Sequence, residues 1–294
     1  MLESDTGPIQ VHAPTGERSR RGESRLEFAV DAEGRTYLAA HFAGYPHHLT
    51  RAFYLDRAAP HAATVYLQSL SGGLTQDDRV SVRISTKGGA VAHVTTQAAT
   101  KVHSMKHGYA LQQISLGALG RSHLEFLADP TICFPHSRLV AKTDVRVAAG
   151  ASAIIGDSYI WHNPHGAESV AFDALNIETK ICRPDGRLLA LDREHLTSGQ
   201  GIVDNPALLG PYRTLGTLFA VGRRDGRSAE WAALRTALAD LPGVYSGVTH
   251  LPAEAGLWVR ILATDGVALR KAMECAWQQC HLAMLGWVCD KRRK

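Results

Sequence analysis

From Leu26 to Leu196 the chain is a train of short runs in which apolar and polar residues alternate, each closed by a turn signal. VSVRIS is typical: Val80, Val82 and Ile84 fall on one face and Ser81, Arg83 and Ser85 on the other. That period of two is the pattern of a strand covered on one side only. LEFAV, TVYLQSL, AVAHVTT, HLEFL and AIIGDSYI repeat it, and DAEGR, TKGGA, ALGRS, AAGAS and RPDGR supply glycine between them. RPDGR has the composition of a hairpin turn. So many strands in one chain must cover one another. The expected fold is mainly β, a large elongated stack of sheets, β-helix-like and with many hairpins.

The last third changes period. SAEWAALRTALAD reads as a short amphipathic helix near 228–240, with Ser228 as its cap and Pro242 and Gly243 beyond its end. Two strands, GVYSGVTH and GLWVRILAT, precede a second helix near 266–287, where Leu269, Met273, Ala276, Trp277, Cys280, Met284 and Trp287 recur at three-and-four spacing. One broad apolar face of that helix must be buried, by default on the sheets. Residues 1–24 are rich in Gly, Ser, Pro, Arg and Glu and read as a flexible tail, 289–294 as a basic tail, and 25–288 as a single domain with two α-helices in its C-terminal third.

Composition excludes several classes of protein. Hydrophobic residues make up 45% and charged residues 20%, which fits a globular chain. A net charge of +4, with basic clusters only near the ends, gives no stripe for nucleic acid. No apolar run reaches the roughly 20 residues of a membrane helix, and the polar start is not a secretory signal. The five cysteines are an odd number without a CxxC pair, which points away from a disulfide framework and toward a cytoplasmic location. Neither nucleic acid nor membrane is an expected partner. GxSxG, GxxxxGK[ST] and HExxH are all missing. Fifteen histidines leave room for transition metals. His162 and His165, in WHNPHG, are the pair whose loop composition best suits convergence on an ion.

One stretch, SLSGGLTQDD, places Gly72 and Gly73 and then Asp77 and Asp78 directly after a strand. Such carboxylates cap a turn, solvate it or meet a cation. After it come GAVAHVTTQAATKVHSM and LEFLADPTICFPHSR. In that order the three segments resemble the urease accessory protein D family, UreD, whose members carry a GGL turn ending in GD, a TTQ strand and a DP segment. The resemblance runs over roughly residues 25 to 287, and its central three motifs are the specific ones.

The resemblance implies a urease accessory protein, a non-enzymatic scaffold or metallochaperone that acts with UreF and UreG to deliver nickel to apo-urease. It implies transient Ni²⁺, with no tightly bound cofactor and no catalytic residues. By motif position the nickel passage would involve Asp78, Asp77, Thr96, Gln97, His103, Ser104 and Glu168, the last opposite the glutamate of a later GE. Gly72, Gly73, Thr95, Lys101, Asp129 and Pro130 match as structural motif residues. Gln76 and Asp77 stand where the family has two glycines. A passage suits oxygen and nitrogen donors that hold an ion weakly and release it. On the residues alone a second reading stays open, a β-rich metal-dependent hydrolase using a site that includes His162 and His165.

Overall fold

The computed structural model describes residues 20–161, 172–198, 205, 208–222 and 228–290. The strands in chain order are β1 (Arg21–Val30), β2 (Thr36–Ala43), β3 (His47–Leu49), β4 (Ala63–Ser69), β5 (Arg79–Thr86), β6 (Val91–Thr96), β7 (Thr100–Val102) and β8 (Ala110–Ala118). They continue as β9 (His123–Leu127), β10 (Thr131–Cys133), β11 (Arg138–Val147), β12 (Ser152–Trp161), β13 (Ala174–Cys182), β14 (Leu188–Thr197) and β15 (Thr214–Val221). Helix α1 (Ser228–Ala239), β16 (Val244–His250), β17 (Gly256–Ala263) and helix α2 (Gly266–Leu285) complete the chain. The capping role expected of Ser228 and the pair His162 and His165 lie outside the described side chains, as does Glu168.

The fold is mainly β and has the expected stacked sheets, but most neighbours are parallel where hairpins were expected. One sheet has the order β14-β13-β11-β8-β5-β1-β2, and the other β16-β17-β15-β12-β9-β6-β4-β3, with β10 and β7 attached through β12. The chain passes from one sheet to the other at nearly every turn. Consequently β5, β8, β11 and β13 run parallel in the first sheet, and β4, β6, β9 and β12 run parallel in the second. This is a two-sided β-solenoid whose successive coils lie on top of one another.

TKGGA, ALGRS and AAGAS are corners between the two sheets and not hairpins; they lie on successive coils. Alternation cannot separate the two cases, because a strand shows the same period of two whichever way its neighbour runs. RPDGR does close a hairpin, β13–β14, with Arg183 N–H donating to the Arg187 carbonyl at 2.8 Å. Antiparallel strands are confined to the ends of the stack, where β2, β3, β14 and the β15–β17–β16 set cap it. β1 begins at Arg21, inside the stretch expected to be tail, because Gly22, Ser24, Leu26 and Phe28 alternate inward while Arg21 to Phe28 pair in register with Arg79 to Thr86.

Helix α2 starts where Asp265 accepts from the Val267 and Ala268 amides at 2.8 and 2.9 Å. It ends at Gly286 in the left-handed conformation. Its buried stripe, including Leu269, Ala276, Trp277, Cys280 and Met284, packs on the outer face of the second sheet. Gly216 of β15 permits that closeness: a Cβ there would lie 2.8 Å from Met273 Sδ and 2.9 Å from Leu269 Cδ1. Among the described residues no helix is long and apolar enough to cross a membrane.

Candidate functional site

Between the two sheets the core is divided. One apolar cluster includes Val145, Val147, Ile155, Ile181, Phe219 and Val221. A second includes Leu139, Ala141, Tyr159, Trp161, Leu175, Ile177 and Leu215. Strands β11, β12, β13 and β15 each send residues to both clusters, and the inward position between them is polar.

On β11 that position is Thr143, which sits in register with Thr179 of β13, itself in register with Asp192 of β14. On β12 it is Asp157, in register with Thr217 of β15, itself in register with Arg260 of β17. The two rows face each other across the sandwich. At the far end Arg260 joins them, donating from Nη2 to Asp192 Oδ2 at 2.8 Å and from Nη1 to Glu194 Oε1. Its guanidinium also lies 4.9 Å from the Trp258 ring centroid.

At the near end the polar layer opens into a cavity of about 270 Å³ between the sheets. Thr96, Gln112, Thr143 and Asp157 line its interior, and Gly72, Gly73, Gln97, Lys101 and Asp129 lie on its outer side. The Asp129 amide donates to Thr96 Oγ1 at 2.7 Å, and Gln68 Nε2 donates to Gln97 Oε1. Thr95, facing away, donates to the Leu127 carbonyl at 2.7 Å and ties β6 to β9. Pro130 ends that connection, its carbonyl accepting from Thr100 N–H at 3.1 Å.

Asp157, at this cavity, is a strongly perturbed carboxyl. Burial pushes its pKa from 3.8 up to about 7, the nearby Glu194 and Asp192 charges push the same way, and Arg260 pulls against them. Its Oδ1 is buried with no hydrogen-bond partner, an arrangement that costs free energy unless a cation or proton is supplied. Burial likewise raises Glu194 and Asp192, with Arg260 opposing. Burial holds His47, on the cavity wall, down at about 4, so its imidazole is a neutral nitrogen donor near pH 7. Cys133 and Cys280 are both pushed up to about 12 by burial, which keeps these thiols protonated. Among the described residues no group of three or more His, Cys, Asp or Glu side chains is arranged so that it could hold a metal ion.

The aspartates of the opening motif shape the turn beside the cavity. Asp78 Oδ2 accepts from the Thr75 amide at 2.8 Å and from Thr75 Oγ1 at 3.1 Å, so its carboxylate reaches back three residues and closes the 75–78 turn. Asp77 has φ +63, and its amide donates to the Tyr109 carbonyl at 3.2 Å. Gly73 has φ +139, and a Cβ there would stand 2.5 Å from the Lys101 carbonyl oxygen, so this glycine lets the turn lie against β7, whereas a Cβ on Gly72 would meet nothing within 4 Å. His103 Nε2 meets the Gly72 carbonyl at 3.0 Å, and Ser104 Oγ donates to the Pro135 carbonyl at 2.6 Å, both on the outside. Asp78→Ala is therefore expected to lower stability by about 1–2 kcal/mol, while Asp78→Asn keeps most of it. Chemical denaturation of the two variants checks this, and equal losses would contradict the turn assignment.

Of the residues expected from sequence at the passage, the structure gathers Thr96 and Gln97 at the cavity, together with the motif residues Gly72, Gly73, Lys101 and Asp129. Asp77, Asp78, His103 and Ser104 lie in the adjoining turn and loop. Sequence reasoning missed Asp157, Thr143, Thr179, Asp192, Glu194, Thr217 and Arg260. The available signal was a single polar residue interrupting the inward face of successive strands, as in AIIGDSYIW.

The sequence model of the UreD urease accessory protein family matches residues 20–292. Urease accessory protein UreD 1 of Methylorubrum extorquens (strain PA1) is 36% identical over 287 residues, covering 98% of this chain and 96% of that protein. The protein of the same name from Pseudomonas syringae pv. syringae (strain B728a) is 34% identical, covering 97% of this chain and all of its own length (100%). An archaeal relative, urease accessory protein UreD of Haloarcula marismortui, is 31% identical over 96% of this chain and 93% of its own. On a match of this length, the chain belongs to the UreD urease accessory protein family.

Proposed function

We propose that this protein is a non-enzymatic scaffold that conducts nickel to apo-urease, working in a complex with UreF and UreG. The observation that carries this reading is the polar layer between the sheets, with Thr143, Thr179 and Asp192 in register on one side and Asp157, Thr217 and Arg260 on the other. A layer of this kind has a cost in a protein core unless it serves a polar guest, since each buried hydroxyl or carboxylate forfeits hydration. Hydroxyls, amides and single carboxylates bind a divalent ion weakly, and weak sites in series let it move on. Ni²⁺ is here the cargo, entering or leaving by the cavity at Gln97, Asp129 and the 72–73 turn. Asp77, Asp78, His103 and Ser104 shape and flank that mouth.

Asp157 gives the reading a pH signature. Its carboxyl must lose a proton before it can hold a cation, and its pKa lies near 7. Below that value each pH unit is expected to weaken Ni²⁺ binding by about tenfold; above it the affinity levels off. Calorimetric titration of the purified chain with Ni²⁺ from acid to alkaline pH checks this. The complementary experiment is co-expression with UreF, UreG and apo-urease. A co-purifying complex and active urease are expected, and full activation without this chain would refute the role.

A further inference from the structure

Away from the cavity, beneath helix α2, a single carboxylate gathers four N–H groups. Glu125 of β9 accepts from Trp277 Nε1 at 2.9 Å, and its oxygens meet His93 Nδ1 at 2.7 Å, His281 Nδ1 at 2.7 Å and His123 Nε2 at 3.2 Å. His93 comes from β6, His123 from β9, and Trp277 and His281 from α2. The carboxylate therefore joins the helix to the sheet. Its side chain is 3% exposed and those of His123 and His281 are 3% and 5% exposed, so this is a core contact made of titratable groups.

The 286–290 segment lies over it as a strap. Trp287 packs edge-on against His281 at 5.6 Å and against His61 at 5.8 Å. The Asp290 amide donates to Asp56 Oδ1 at 2.7 Å, and the Arg57 amide donates to Asp290 Oδ2 at 3.3 Å. A cavity of about 40 Å³ remains beneath, touched by Glu125, His281, Cys289 and Asp56.

We propose that Glu125, its three histidines and Trp277 form a charge lock that docks helix α2 and the 286–290 strap as one unit, and that acidification releases this unit from the solenoid. The reason is a charge count. One buried carboxylate balances one imidazolium; a second and third protonated ring bury uncompensated positive charge in the same contact. On α2 itself, His281 has Nδ1 committed to Glu125 while its Nε2 is buried with no hydrogen-bond partner. A proton placed on that Nε2 has no acceptor, and its charge is relieved only when the helix moves.

The other titratable groups around the lock do not supply more negative charge within it. Cys280 on α2 and Cys289 on the strap are buried thiols. Tyr66 of β4 is a phenol, and His61 is a further base. Asp56 and Asp290 lie at the outer rim, where each carboxylate is engaged by a backbone amide.

The test is hydrogen exchange of the full chain, corrected for intrinsic rates, at about pH 7.5 and about pH 5.5, either side of the range in which imidazole ordinarily titrates. At the lower pH, amides of α2 and of 286–290 are expected to exchange about tenfold faster and together, while β8 and β11 keep their protection. Glu125→Gln should produce the same loosening at about pH 7.5, because its amide group turns a donor toward donors. Unchanged protection of α2 in the wild type at about pH 5.5, or a strap that opens without the helix, would overturn the proposal. If Glu125→Gln fails to fold, the wild-type measurement decides alone.

Discussion

Replacing Asp157 by Asn is expected to stabilise the protein and disable it at once. The native carboxyl titrates at about 7 where an ordinary aspartate titrates at 3.8, chiefly because burial disfavours its charge. Between those two pH values the folded chain keeps a proton that the unfolded chain has lost. Stability therefore falls as pH rises through that window, and the full cost persists above it. The difference corresponds to on the order of 4 kcal/mol at alkaline pH. Asn keeps the shape without the charge. Thermal denaturation should show a gain of several degrees at about pH 8 and almost none at about pH 4. Urease activation, in contrast, should drop by about tenfold or more, because the layer loses a carboxylate that lines the cavity with a buried oxygen not hydrogen-bonded within the protein. A variant with unchanged melting and full activation would remove Asp157 from the account.

The second large effect is expected from Thr143→Trp. Thr143 faces inward on β11 at the gap between the two apolar clusters, beside Thr179 and across from the Asp157 row. An indole there fills polar space with apolar surface, and the cavity of about 270 Å³ offers it room that the packed core would not. Overpacking elsewhere in a core costs about 1–3 kcal/mol; here the loss should be smaller. Activation should fall to the level seen without the chain while co-purification with UreF and UreG persists. Thr143→Val serves as the control, since it removes one hydroxyl and leaves the space open. Should the tryptophan variant activate urease normally, the ion does not travel between the sheets.

Much of the fold can be read in the sequence because burial imposes a period. RVSVRIST alternates as it does because one face of β5 meets the core, and the three-and-four stripe of 266–285 matches the face that α2 lays on the sheet. Strand direction is not readable in this way. TKGGA and RPDGR both put glycine between alternating runs, yet one turns a corner between sheets and the other closes a hairpin, and alternation in the flanking strands does not tell the two apart. The residues of the cavity and the polar layer divide along the same line. Thr96, Gln97 and Asp129 belong to contiguous motifs and could be found by motif order. Asp157, Thr143 and Arg260 become neighbours only after coils distant in sequence stack in register, so no local window contains them. The Glu125 contact is hidden for the same reason, with Trp277 and His281 more than 150 positions away in the chain.

The most direct test of the central claim, that nickel moves through the polar layer between the sheets, is the nickel content of urease matured with the Thr143→Trp chain in an otherwise intact UreD, UreF and UreG assembly. Metal analysis of the purified urease should give nickel near the level found when this chain is omitted, with the Thr143→Val chain restoring it. Full nickel occupancy in urease matured by the tryptophan variant would contradict the claim and place the route on the outside of the protein.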